Sequence, residues 1–103
     1  MGAVYITSPE QENELIYLIR SAVESEIRRL EIGLKLARER LERFERKYGV
    51  SSDYFIEHMA AEDLEGGDDE YVQWAGEYYL WQRLHTKLEQ LRSLQYHAED
   101  LPR

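Results

Sequence analysis

Apolar residues recur along the first half of the chain at alternating steps of three and four. Ile16, Val23, Leu30, Ala37 and Phe44 fill one heptad position, and Ile27, Leu34, Leu41 and Tyr48 fill the other. That spacing places both sets on one face of a helix and suits knobs-into-holes packing against a facing helix. Arg20 takes one seam position and Gly33 lowers helix propensity, but Leu15 and Ile19 widen the apolar face near the start. Polar positions agree with the pattern, because Glu24/Arg28, Glu31/Lys35, Glu39/Arg43 and Glu42/Arg46 each set an acid four residues before a base.

The ends of this helix are marked. Ser8 can accept from the backbone N–H of Gln11, Pro9 fits the first helical position, and Glu10, Glu12 and Glu14 lie where the helix dipole favours negative charge. Gly49 suits a left-handed cap, with Val50 folding back on Phe44. A first helix over about residues 8–48 is predicted. Ser51-Ser52-Asp53 then offers a new cap, and Phe55, Ile56 and Met59 make a short amphipathic helix over about 52–61. After the Gly66-Gly67 loop, Asp68 is expected to cap a third helix over about 68–98, in which Trp74, Trp81 and Leu88 recur at sevens beside Leu84, Leu91 and Ala98. The expected fold is all-α: a long antiparallel helical hairpin with a short helix at its tip, in a single domain over residues 8–103. Residues 1–7 form a separate N-terminal segment, with Ala3 to Thr7 apolar or β-branched and expected to be extended.

Length adds an expectation about assembly. A 40-residue helix is about 60 Å long, whereas a compact 100-residue domain has a radius of gyration of about 13 Å. One hairpin cannot hide two wide apolar faces, so a homodimeric four-helix bundle is expected. Val23, Ile27, Leu30, Leu34, Leu41, Phe44, Trp81, Leu84, Leu88 and Leu91 are the residues expected in the dimer seam.

Composition narrows the chemistry. There are 21 acidic and 13 basic residues, a formal net charge of -8, which argues against direct binding to nucleic-acid backbones. The chain has no cysteine, so disulfides and thiolate metal sites are excluded. No apolar run reaches the roughly 20 residues of a membrane span, and no signal-peptide pattern stands at the start, so a cytoplasmic location is the expectation. His58, His85 and His97 lack a carboxylate three residues earlier, which removes the Glu-x-x-His signature of di-iron bundles, and Gly66-Gly67 lacks the lysine of a phosphate loop. No catalytic, cofactor or metal residues are assigned, and a non-enzymatic role is expected.

One asymmetry carries a functional expectation. No Lys or Arg lies between Lys47 and Arg83, while Asp53, Glu57, Glu62, Asp63, Glu65, Asp68, Asp69, Glu70 and Glu77 do. Tyr48, Tyr54, Phe55, Tyr71, Trp74, Tyr78, Tyr79 and Trp81 share the interval. Rings beside a field of one sign suit a basic protein partner, the rings as anchors and the acids for steering. The candidate contact residues are Tyr54, Phe55, Asp68, Asp69, Glu70, Tyr71, Trp74 and Tyr78. The plainer reading, equally open, is that Phe55, Trp74 and Trp81 pack the short helix onto the long pair while the acids cap and solubilise.

The run Phe44-x-x-Lys47-Tyr48-Gly49-x-x-Ser52-x-x-Phe55, followed by Gly66-x-Asp68-Asp69 and Trp74, resembles small helical antitoxin-like proteins of bacteria and archaea encoded beside a short basic toxin. The resemblance covers about residues 40–90; the long first helix and the segment before Ser8 lie outside it. It implies a partner that masks a basic toxin through the acidic tip. A structural coiled-coil homodimer or adaptor, with no toxin partner, is the alternative.

Overall fold

The computed structural model describes residues 8–99; the expected extended segment before Ser8 lies outside them. In order come α1 (Pro9–Tyr48), α2 (Ser52–His58), a 3-10 turn (Ala61–Asp63) and α3 (Gly67–Glu99), with no strand among the described residues. The long helices α1 and α3 pack side by side as an antiparallel hairpin.

The caps form as their chemistry requires. Ser8 Oγ accepts from Gln11 N at 3.2 Å, and Gly49, with φ 68° and ψ 25°, donates its N–H to Glu45 O at 2.8 Å. Only glycine adopts that left-handed geometry without a Cβ penalty, so the 40-residue helix stops there. Ser51 Oγ caps α2 by accepting from Tyr54 N at 3.1 Å. The short helix ends at His58, earlier than the expected 61, because Met59 and Ala60 turn extended before the 3-10 turn. There Asp63 accepts from Ala60 N at 2.8 Å. α3 starts at Gly67, one residue ahead of the expected cap at Asp68, and its opening backbone is satisfied by Glu70, which accepts from Gly66 N at 3.1 Å. A Cβ on Gly66 would lie 2.8 Å from Glu70 Cβ, so glycine is what admits this reach-back.

Two clusters hold the hairpin. Along the shaft, buried Ile27, Leu30 and Leu88 pack with half-buried Val23, Leu34, Leu84 and Leu91. At the tip, Leu41, Phe55, Leu64, Trp74 and Tyr78 are buried, with Phe44, Tyr48 and Trp81 against them. All ten residues expected in a dimer seam pack between the helices of one chain, where Ile27, Leu30, Leu41 and Leu88 are buried and the other six half-buried. The physical reason is proximity: α3 is tethered to α1, so its effective concentration exceeds that of any second molecule. The register is marked by the Arg40–Glu77 ion pair at 2.8 Å and by Gly33 lying against Leu84, whose Cδ1 would be 3.3 Å from an added Cβ. Near the open end Arg92 reaches Glu31 at 3.1 Å. The molecule is 64 × 29 × 19 Å with a radius of gyration of 20.3 Å, well above the roughly 13 Å of a compact chain this size.

Candidate functional site

The tip is built from α1's last turns outward. The turn at Gly49 lets α2 fold back, and this delivers Ser52, 3 % exposed, into the junction of all three helices. Its N–H and its hydroxyl both donate to Glu45 Oε2 at 2.8 Å, while Arg38 donates to Glu45 Oε1 at 2.6 Å. The same hydroxyl oxygen accepts from Trp74 Nε1 at 2.9 Å. One small side chain thus ties α1, α2 and α3, and the buried indole N–H has the partner it requires.

Rings fill the space around this knot. Trp74 stacks on Phe55 with centroids 3.9 Å apart and planes 3° from parallel, and lies nearly parallel to Phe44 and Tyr48 at 5.3 and 5.6 Å. Tyr71 tilts against Phe55 at 5.0 Å. Such pairs add about 0.5–1.5 kcal/mol each beyond the area they bury.

A second clasp closes the loop onto α1. The Tyr48 hydroxyl donates to Glu70 and accepts from Glu65 N at 2.9 Å, and Lys47 Nζ lies 2.7 Å from Glu70 Oε2. The Lys47 ammonium and then the Tyr48 hydroxyl hold the Glu70 carboxyl down to about 2, against an ordinary 4.5. Bonding to Glu70 raises Lys47 in turn. On the other side Tyr78 donates to Asp53 Oδ1 at 2.6 Å and accepts from Gln82 at 3.1 Å. That bond to a carboxylate, with burial second, pushes the Tyr78 phenol up to about 12.

These contacts sort the expected site residues. Phe55 and Trp74 have no exposed surface and Tyr78 is 8 % exposed, so as anchors for a partner they are corrected: they build the tip from inside. Glu70 is spent on Lys47, Tyr48 and Gly66, and Tyr71 is half-buried against Phe55. Tyr54, 49 % exposed, and the exposed Asp68 and Asp69 remain open. Around them Asp53, Glu57, Glu62, Asp63 and Glu65 are exposed as well, so the cap carries seven exposed carboxylates. Glu45, Arg38 and Ser52 were not read as a unit from the sequence; only the Ser52 position in the Tyr-Gly-x-x-Ser run signalled it.

Beside the tip, between α1 and α3, a groove of about 370 Å³ is lined by Arg40, Arg43, Phe44, Lys47, Glu70, Gln73 and Glu77. Arg40–Glu77 and Lys47–Glu70 are already ion pairs, so most of its charge is committed to holding the helices. His58 and His85 are exposed, and among the described residues no three His, Cys, Asp or Glu side chains are grouped to hold a metal ion. Among the same residues no helix is long and apolar enough to cross a membrane. Comparison of the chain with protein-family models, curated proteins and solved structures finds no match.

Proposed function

We propose that this protein is a non-enzymatic interaction partner that docks a basic protein on its acidic tip, in the antitoxin-like manner that the Tyr48-Gly49 and Asp68-Asp69 pattern resembles. The observation that carries this reading is the cap of seven exposed carboxylates, set on a ring-packed base and uninterrupted by Lys or Arg from Lys47 to Arg83. A field of one sign speeds encounter with an oppositely charged partner, and a preformed surface binds without an ordering cost. Masking is the mechanism: carboxylates occupy the positive surface where a basic toxin would meet phosphates. Tyr54 is the exposed ring beside that field.

The test is co-expression with the product of the adjacent reading frame, then titration of the purified pair at low and high salt. Changing Glu57, Glu62, Asp68 and Asp69 to their amides should weaken binding about 10- to 100-fold at low salt and flatten its salt dependence. Unchanged affinity in that variant would sink the docking reading. The second reading, a structural homodimer or adaptor, is favoured by one observation, the large apolar side chains left exposed along the shaft, among them Leu18, Ile32 and Leu36.

A further inference from the structure

We infer that the back of α1 pairs with the back of α1 in a second copy, antiparallel, about a twofold axis level with Ser25. The inference rests on the self-association of the second reading and not on the acidic tip. It uses a face that the hairpin leaves uncovered.

A second stripe at steps of three and four runs opposite the hairpin seam. Leu15 and Leu18 stand at one end, Ala22 and Ser25 in the middle, and Ile32 and Leu36 at the other. Leu18 is 54 % exposed, Ile32 63 % and Leu36 46 %, while Leu15 is half-buried. The stripe spans about 30 Å.

Its order is self-complementary, which is what a twofold interface demands. Reversing one copy about Ser25 lays Leu18 level with Ile32 and Leu15 within one residue of Leu36, with the small Ala22 and Ser25 at the crossing. The flanking charges agree: exposed Glu14 then faces exposed Lys35 of the second copy, twice. The charge inside the stripe, Arg29, is neutralised on its own helix, its Nε lying 2.9 Å from Glu26. Its aliphatic stem can cover the second copy's Ala22.

Sedimentation equilibrium of the intact chain at about 50 µM should give twice the 12.3 kDa chain mass. Ile32→Glu with Leu36→Glu should raise the dissociation constant at least tenfold while far-UV circular dichroism stays helical, since both positions are exposed. The native chain has no cysteine, so single cysteines report the orientation. A mixture of Leu18→Cys and Ile32→Cys should form the mixed disulfide quickly, and Leu18→Cys alone should not self-link. A one-chain mass, dimers that survive the double glutamate variant, or self-linking of Leu18→Cys as fast as the mixture would each overturn the inference. The tip variant with four amides should leave the mass unchanged, so failure at the tip and failure at this face are separately visible.

Discussion

Replacing Ser52 by alanine removes a single hydroxyl at the point where three helices meet. Two partners lose a bond: Trp74 Nε1, wholly buried, loses its acceptor, and Glu45 Oε2 loses one of its two donors from this residue. Leaving a buried N–H unsatisfied costs about 1–3 kcal/mol. The lost bond to a carboxylate would cost about 1.5–3 kcal/mol if fully buried; Glu45 is 17 % exposed and keeps Arg38 and the Ser52 N–H, so the lower end applies. The expected total is about 2.5–4.5 kcal/mol, a fall of roughly 10–35 °C in melting temperature for a chain of this size. Circular dichroism melts and urea titrations of the two proteins at one concentration measure it. Trp74→Phe removes the indole donor in advance, so Ser52→Ala in that background should cost at least about 1 kcal/mol less. A loss below about 0.5 kcal/mol in the native background, or equal losses in both, would refute the view that this hydroxyl ties the helices.

Glu70 titrates far below its ordinary 4.5, so its clasp stabilises the fold above that value and the contribution fades as pH falls towards about 2. Urea midpoints should therefore separate native and Glu70→Gln proteins at pH 6 and converge near pH 2; a constant separation would contradict the clasp. Gly33→Ala should stabilise by about 0.5–1 kcal/mol through helix propensity, because the atom 3.3 Å away is the far end of the Leu84 side chain; destabilisation in the same titration would show that Leu84 cannot shift. Trp74→Ala should cost about 3–5 kcal/mol and loosen α2, read as faster hydrogen exchange over residues 52–58.

Much of the fold was legible because each signal had one cause. The seam from Ile16 to Tyr48 has a helical period, Pro9 and Gly49 mark where the backbone can start and must stop, and the structure agrees to within a residue. What a heptad cannot state is whether the facing helix belongs to the same chain. Leu30 and Leu88 look alike in either case, and only the tether decides that they meet. The tip was half legible for a similar reason. Phe55 and Trp74 have the composition of an interface anchor and of a core, and burial separates the two. Glu70 counted as part of the acidic field, yet Lys47, at the edge of that field in sequence, folds onto it. The back stripe of α1 could have been read directly from Leu15 to Leu36, but the stronger front seam masked it.

The two faces have a joint consequence for stoichiometry. Antiparallel pairing about Ser25 sends the two tips to opposite ends of a body at least as long as α1, about 60 Å. At that separation, beyond several Debye lengths at physiological salt, the two carboxylate caps neither repel each other nor compete for one partner. If both proposals hold, each cap is expected to bind its own basic protein, an assembly of two chains with two partners. The four-amide tip variant would leave the bare dimer, and Ile32→Glu with Leu36→Glu would leave a one-to-one complex. Light-scattering masses of these two mixtures discriminate the cases, and a two-to-one assembly would show that the caps are brought together and the antiparallel arrangement is wrong.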